Sequence, residues 1–352
     1  MNLPAHGANP AHLYEKINLA QPAQIFDFSV NTNPYGSPPS LKEKWNEWFG
    51  AVSDYPDPEG RSLTQLLARQ NDVMPDQVLL GNGAAEVIQF LGQLIQGKRV
   101  VIVQPAFSEY ETACRAYGCE VDFVSIDEGV ESIVEVAKEA AALFICTPNN
   151  PTGLLFQSDD LLHILDQLQG SSCLVIIDEA FYDFAGSFTY ATYLSNYPQL
   201  VILRSLTKMY AIAGLRIGYA LASETIIKRL ARFRPQWNVN ALALLAAETA
   251  LLDSTFVQTS RQWIQEEREQ MFEFLEKTGF HFTRSSVNFY LLRDPNLSDQ
   301  RPLLEFLLKK GFVLRHTYNY PTLNGRWLRA AVKTKEENDQ LKEALLAWKQ
   351  HN

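Results

Sequence analysis

Short apolar runs alternate with longer amphipathic segments through the middle of the chain. The runs lie at 78–80, 99–103, 143–145, 174–177 and 200–203, and the segments between them repeat apolar residues at helical spacing. This alternation is typical of buried strands in a mostly parallel sheet that is flanked by helices. We therefore predict an α/β fold whose large domain contains such a sheet.

The pattern changes on both sides of this region. Residues 1–40 are rich in Pro, Asn and Gly, whereas from about residue 241 the chain turns helical, with later strand patterns at 288–292 and 327–332 and a final helix at 336–349. These features predict a smaller α/β domain. We expect an N-terminal arm over 1–35 that belongs to the small domain, the large domain over 36–240 and the small C-terminal domain over 241–352.

Composition narrows the classes of partner. The chain has 352 residues, 46% of them hydrophobic, and a formal net charge of −9. An acidic globular protein has no general attraction for nucleic acid or for an anionic membrane, and the apolar runs are too short to span a bilayer. The N-terminus lacks a basic and apolar secretory signal, so we expect a cytoplasmic protein. Four cysteines without metal-ligand spacing predict core thiols and no metal site: Cys114, Cys119, Cys146 and Cys173.

Glycine and polar residues follow the predicted strands. They are Gly81-Asn-Gly83, Pro105-Ala-Phe107, Thr147-Pro-Asn-Asn-Pro-Thr-Gly153, Asp178-Glu179 and Ser205-Leu-Thr-Lys208. In open α/β sheets, ligands bind beyond the carboxyl ends of the strands. The sequence therefore predicts one site that is built from these segments.

Each segment alone permits two interpretations. Gly83 opens a helix whose N-terminus could bind a phosphate, but such turns often serve only tight packing. Asp178 ends an apolar strand, so its carboxylate needs a cation or a donor, or forms a structural salt bridge. Lys208 is either a surface lysine or an amine whose pKa is lowered by burial and by Arg216, which favours nucleophilic attack on an aldehyde. Context favours the chemical interpretations.

Four motifs carry a family resemblance. They are Asn149-Asn-Pro-Thr-Gly153, Asp178-Glu-Ala-Phe181, Ser205-Leu-Thr-Lys208 and Ala213-Gly-Leu-Arg216-Ile-Gly-Tyr219. Their order and spacing resemble those of the fold type I enzymes dependent on pyridoxal 5′-phosphate (PLP), related to aspartate and histidinol-phosphate aminotransferases. The resemblance covers nearly the whole chain and implies that PLP is the cofactor.

The resemblance implies a role for each matching residue. Lys208 would hold PLP as a Schiff base, Asp178 would face the pyridine nitrogen, Asn150 would bind the ring hydroxyl, and Phe107 would stack on the ring. The phosphate group would be bound by Gly83, Ala84, Ser205, Thr207, Arg216 and, from the partner subunit of a homodimer, Tyr55. One position departs from the family, because Phe181 stands where many members have a tyrosine that bonds the ring hydroxyl.

A closer resemblance is to the threonine-phosphate decarboxylases within this superfamily. It is carried by Ala5-His-Gly-Ala-Asn9, Phe28-Ser-Val-Asn-Thr-Asn-Pro34, the segments 204–216 and 236–243, although Ala8 replaces a usual glycine. It implies decarboxylation of L-threonine O-3-phosphate to (R)-1-aminopropan-2-yl phosphate in cobalamin biosynthesis. Candidate substrate contacts are His6, Gly7, Asn33, Arg315 and Arg329.

Cofactor-binding residues do not decide the reaction. The bond held perpendicular to the conjugated ring is the one that breaks, so substrate contacts choose between decarboxylation and proton transfer at Cα. A histidinol-phosphate or aromatic aminotransferase is therefore the main alternative. A PLP-binding regulator without turnover is a further one.

Overall fold

The computed structural model describes residues 3–4, 7–186 and 188–351. The strands are β1 Phe26–Asp27, β2 Val78–Gly81, β3 Arg99–Gln104, β4 Glu120–Ser125, β5 Ala142–Cys146, β6 Leu174–Asp178, β7 Leu200–Ser205, β8 Gly218–Ala222, β9 His281–Phe282, β10 Phe289–Arg293, β11 Phe312–Val313, β12 Arg315–His316 and β13 Leu328–Ala331. The helices are α1 Pro10–Ile17, α2 Pro39–Lys44, α3 Arg61–Gln70, α4 Ala84–Leu94, α5 Glu109–Ala116, α6 Val130–Ala137, α7 Ser158–Gln167, α8 Tyr182–Ala185, α9 Glu224–Ala231, α10 Ala241–Leu251, α11 Ser254–Lys277, α12 Arg301–Lys309 and α13 Lys335–His351.

The main sheet has the strand order β2-β8-β7-β6-β5-β3-β4. Strands β7, β6, β5, β3 and β4 pair in parallel, while β8 runs antiparallel to both of its neighbours, β2 and β7. The five apolar runs noted in the sequence are all strands of this sheet, which confirms the predicted α/β fold. Their carboxyl ends lie along one edge, where the polar segments follow.

Residues of successive strands alternate between two apolar layers. Val101 and Leu143 pack on one face of the sheet, and Ile102 and Phe144 pack on the other. All four side chains are buried because helices cover both faces. A strand that is covered on both faces reads as a continuous apolar run, which explains the clear sequence signal.

A smaller antiparallel sheet has the order β12-β13-β10-β9. Strands β10 and β13 agree with the strand patterns noted at 288–292 and 327–332. Near the N-terminus, Phe26 pairs in parallel with Phe312, and Ala331 N–H donates to the Phe28 carbonyl. The N-terminal segment is therefore hydrogen-bonded to C-terminal strands, although the proposed domain boundaries stay a prediction.

Helices α10 and α11 connect the two sheets in sequence. The Asn240 side chain accepts a hydrogen bond from Ala243 N–H at the start of α10, and Asp253 does the same for Phe256 N–H at the start of α11. No single helix in the described part of the chain is long and apolar enough to cross a membrane. The two helices pass that test only when joined, with a bend of 79° between them.

Candidate active site

A cleft of about 340 Å³ opens at the carboxyl ends of the parallel strands. Its walls come from the main sheet, the small sheet and the N-terminal arm. Most of the residues singled out in the sequence line this one cleft: Gly7, Gly83, Ala84, Phe107, Asn150, Asp178, Phe181, Ser205, Thr207, Lys208, Arg216, Arg315 and Arg329.

One corner of the cleft has the features of a phosphate site. Helix α4 begins after Gly83 without a side-chain cap, so backbone N–H groups at its positive end are available to an anion. Gly83 has φ +78°, and a Cβ there would lie 2.7 Å from Arg216 Nη2. The hydroxyls of Ser205 and Thr207 are 2.8 Å apart in the same cleft. These donors are close together in the cleft, and a side chain at position 83 would collide with Arg216.

Asp178 ends β6 and is almost fully buried. Tyr110 O–H donates to its Oδ2 at 2.5 Å, and Ala180 N–H donates to its Oδ1 at 2.8 Å. Burial nevertheless raises the pKa of the carboxyl, against the effect of these hydrogen bonds. A cation such as a protonated pyridine nitrogen would stabilise the charged carboxylate at this position.

Sequence reasoning did not identify Tyr110 as a site residue. It lies three positions after Phe107, in the first turn of α5, and the two rings meet edge to face at 5.9 Å. Only its closeness in sequence to Phe107 could have indicated it, because a tyrosine in a helix has no distinctive signal of its own.

Lys208 lies three residues after the end of β7 and lines the cleft. Burial, together with the nearby charges of Arg216 and Arg329, lowers the pKa of its amine to about 8, although Asp178 acts in the opposite sense. A substantial fraction of the amine is therefore neutral near physiological pH, the state that reacts with an aldehyde.

Asn150 is tied to Arg329. Arg329 Nη1 donates to Asn150 Oδ1 at 2.6 Å, and its Nη2 donates to the Ser29 carbonyl at 2.9 Å. A guanidinium has no acceptor, so the amide oxygen of Asn150 must face Arg329. The NH₂ group of Asn150 is thereby left to donate on another side.

Arg315 and Arg329 form a pair of like charges in the wall of the cleft. They lie directly opposite each other in β12 and β13, which places both side chains on one face of the sheet. Only 4% of Arg315 and 6% of Arg329 is exposed. Burial lowers the pKa of both, that of Arg315 to about 10. Two buried cations on one face favour binding of a ligand with more than one negative charge.

Gly7 and Ala8 allow the N-terminal arm to pass close to Ser29. A Cβ on Gly7 would lie 2.9 Å from the Ser29 carbonyl oxygen, so only glycine allows this approach. Ala8 has φ +67°, and its N–H donates to Ser29 Oγ at 3.2 Å. This left-handed backbone conformation favours glycine over alanine at position 8.

Asn33 does not line the cleft, so the expected contact with substrate stays a prediction. Its Nδ2 donates to the Met209 carbonyl at 3.0 Å and to Ser260 Oγ at 2.8 Å, and its Oδ1 accepts from Tyr35 N–H. These bonds occupy its amide in the interior. Asn31, two positions earlier, lines the cleft instead and was missed in the sequence.

Three other predicted residues have different outcomes. Tyr55 is 81% exposed and stacks near Trp237 at 4.7 Å, away from the cleft of its own chain, so its role in a neighbouring subunit stays a prediction. Phe181 lines the cleft with its ring against the edge of Phe289 at 4.8 Å, and it offers no hydrogen-bonding group. His6 lies outside the described residues.

Comparison with known proteins identifies the family. The sequence model of the family described as aminotransferase class I and II matches residues 23–345. The chain belongs to this family. Its cofactor is PLP, and the arrangement of the cleft fits that group, since an open helix N-terminus faces Arg216 and a buried carboxylate lies opposite a lysine of lowered pKa.

The relatives of this family member divide between two activities. The chain is 36% identical over 350 residues to a threonine-phosphate decarboxylase of Salmonella typhimurium, covering 97% of this chain and 95% of the relative. It is 32% identical over 326 residues to a histidinol-phosphate aminotransferase of Halalkalibacterium halodurans, covering 90% and 86%. The crystal structure of a histidinol-phosphate aminotransferase from Clostridium acetobutylicum superposes with a TM-score of 0.88 at 30% identity, covering 93% of this chain and all of the other. These likenesses leave the reaction open between the two.

Proposed function

We propose that the chain decarboxylates L-threonine O-3-phosphate to (R)-1-aminopropan-2-yl phosphate, a step of cobalamin biosynthesis. The observation that carries the proposal is the buried pair Arg315 and Arg329, which faces the same cleft as Lys208. A substrate with one carboxylate and one phosphate offers an anion to each guanidinium. The 36% identity to a threonine-phosphate decarboxylase over nearly both full lengths supports this choice.

The residues at the end of the main sheet would hold PLP. Lys208 would bond it covalently, Asp178 would face the ring nitrogen, Asn150 would donate its NH₂ to the ring hydroxyl, and Phe107 would pack on the ring. Gly83, Ala84, Ser205, Thr207 and Arg216 would bind the phosphate of the cofactor. When bound, PLP supplies a ring that accepts the electrons of the bond broken at Cα.

The substrate would be oriented by the arm and the small sheet. Arg329 is proposed to bind the carboxylate and Arg315 the phosphate, with Gly7 and Asn31 completing the wall. In decarboxylation the substrate loses carbon dioxide and gains one proton at Cα. The amine of Lys208, with a pKa of about 8, can hold or release such a proton near neutral pH.

A homodimer belongs to the same proposal. Phe49, Val52 and Tyr55 are apolar or aromatic side chains with exposed fractions of 79%, 62% and 81%. A contiguous group of this kind is typical of a surface that another protein covers. Tyr55 would then reach the cofactor phosphate of the partner subunit, and the absence of a dimer in sedimentation measurements would remove this part of the proposal.

A histidinol-phosphate aminotransferase is the second candidate. The likeness to enzymes of that name in both sequence and structure favours it. Its substrate also has a phosphate and an amine, so Arg315 and Lys208 would be used alike. The two activities differ in whether carbon dioxide or an amino group leaves the substrate.

One experiment separates them. The PLP-loaded protein is incubated with L-threonine O-3-phosphate and no keto acid, while carbon dioxide release and the visible spectrum of the cofactor are followed. We expect steady release with the spectrum returning to its starting form. No release, together with conversion of the cofactor to its amine form by histidinol phosphate, would identify the aminotransferase instead.

A further inference from the structure

Tyr320 is a buried tyrosine that neither the motifs nor the proposed roles use. It lies between β12 and β13, lines the cleft and is 3% exposed. A turn fixes its backbone, since Tyr320 N–H donates to the Thr317 carbonyl and its own carbonyl accepts from Leu323 N–H and Asn324 N–H. The backbone from which the side chain extends is therefore fixed by this turn.

The hydroxyl of Tyr320 points at the oxygen that Arg329 already contacts. Its distance to Asn150 Oδ1 is 3.5 Å, compared with 2.6 Å for Arg329 Nη1. At 3.5 Å a hydrogen bond is weak, so Arg329 is the main holder of the amide in this state. Tyr320 is a second donor to the same oxygen.

A substrate carboxylate would compete with Asn150 Oδ1 for the N–H groups of Arg329. The guanidinium that binds the carboxylate is the one that holds Asn150, and a bidentate contact uses two of its N–H groups. Phe181, the neighbour that could have offered another hydroxyl, has none. Of the side chains with a hydrogen bond to Asn150 Oδ1 in the described part of the chain, Tyr320 is the one left when Arg329 turns away.

We propose that Tyr320 is a positioning residue for Asn150: it keeps the amide oxygen fixed, and the NH₂ group directed at the cofactor, when Arg329 engages the substrate. The inference rests on the proposed function only in taking Arg329 as the carboxylate ligand. It predicts that the two donors act on one oxygen and are therefore not independent.

The test is a double-mutant cycle on the PLP-loaded protein without substrate. The wild type, Tyr320→Phe, Arg329→Met and the double variant are titrated with pH, and the midpoint of the change in cofactor absorbance is recorded. A donor to the ring oxygen favours its deprotonated form, so loss of Asn150 orientation raises the midpoint. We expect Tyr320→Phe to raise this midpoint by less than about 0.3 pH unit in the wild-type background. In the Arg329→Met background, the same substitution should raise it by about 0.5 to 1 unit.

Equal shifts from Tyr320→Phe in both backgrounds would overturn the proposal, because independent groups give additive effects. Tyr290→Phe is the matched control, since Tyr290 is buried in the small sheet and no described group is a hydrogen-bond partner of its hydroxyl. It should leave the midpoint unchanged in both backgrounds.

A second measurement covers the case in which the Arg329 variants lose the cofactor. Tyr320→Phe alone is titrated with and without saturating 3-phosphoglycerate, which has a carboxylate and a phosphate but no amine. The proposal requires the difference in midpoint between Tyr320→Phe and the wild type to be larger with this ligand than without it. An identical difference in both conditions overturns the proposal. Neither titration involves carbon dioxide release, so failure of the proposed function is detected separately.

Discussion

The two ends of the cleft are built from different parts of the chain. We call Gly83, Asp178, Ser205, Lys208 and Arg216 the cofactor end. Asp178 and Ser205 terminate strands, and each of the other three lies within three residues of the end of a strand or a short helix. The substrate end consists of Gly7, Asn31, Arg315, Tyr320 and Arg329, which come from the arm and the small sheet.

We propose that this difference separates what is general to the family from what selects a reaction. A sheet edge fixes the cofactor end through backbone pairing, so its geometry depends little on loops. The substrate end depends on contacts between segments about 300 residues apart, such as Arg329 with the Ser29 carbonyl. We therefore expect the choice of reaction to depend on the end that is assembled over long sequence distances.

The largest expected effect comes from removing the covalent link at the cofactor end. Lys208→Ala should reduce carbon dioxide release by at least about a thousandfold, since both the bond to PLP and a proton carrier are lost. Lys228→Ala, at an exposed surface lysine, is the control. Near-normal activity of Lys208→Ala would refute the assignment of this end.

Removing one arginine should affect the substrate end alone. Arg315→Met should raise KM for L-threonine O-3-phosphate about a hundredfold, while the Kd for PLP changes less than about threefold. Arg284→Met, which removes an exposed guanidinium, serves as the comparison. If substrate and cofactor binding weaken equally, Arg315 has a structural role and the two ends are not separable.

Tyr110→Phe tests the support of the cofactor end. The hydroxyl donates to Asp178, so its loss should raise the pKa of that carboxyl further and weaken its hold on the cofactor, with about tenfold loss in PLP affinity and kcat. Tyr197→Phe removes another tyrosine–aspartate hydrogen bond of 2.5 Å, to Asp166 and outside the cleft. A similar loss of PLP affinity in both variants would show a general effect on folding.

The pH dependence of cofactor uptake reports on Lys208 directly. Only the neutral amine reacts, so a pKa of about 8 predicts that the rate of PLP uptake by the cofactor-free protein rises about fivefold from pH 7 to 8 and levels off above about pH 9. A lysine with the ordinary pKa of 10.5 would still gain about eightfold between pH 9 and pH 10. The same lowered pKa makes this group's contribution to the free energy of unfolding increase as pH rises between these two values.

The smallest expected effect concerns the arm. Ala8→Gly should raise the free energy of unfolding by about 1 kcal/mol, because alanine is strained at φ +67°. Ala347→Gly in the interior of helix α13 should lower it by about the same amount. Thermal denaturation measures both, and a decrease in both would show that Ala8 is not strained.

Much of the fold and of the cofactor end could be predicted because the signals are local. Asp178 ends one buried apolar strand and Lys208 lies three residues after another, and a charged residue at such a position indicates a specific role. Strands β4 and β8 were missed. Strand β4 lies at the edge of the sheet, so Val124 is its one buried residue and the apolar run is absent. Strand β8 overlaps the motif that ends at Tyr219, and its small residues give no strand pattern.

The substrate end was predicted less well because it depends on turns and on distant contacts. Asn31 and Asn33 are two positions apart, so sequence alone does not separate them. The turn in which Gly36 N–H donates to the Asn33 carbonyl places Asn33 in the interior and leaves Asn31 at the cleft. Tyr320 reaches Asn150 across 170 positions, a distance over which periodicity is not informative.

The pairing of Phe26 with Phe312 has a consequence for synthesis of the protein. The ribosome releases the N-terminal strand long before its partner strand exists, and domains generally begin to fold as soon as they have emerged. We expect the cofactor end to fold before the C-terminal strands that pair with the arm have been synthesised. A chain stopped shortly before residue 312 would then leave Phe26 and Phe28 without the apolar partner that covers them, which makes such truncated chains prone to aggregation.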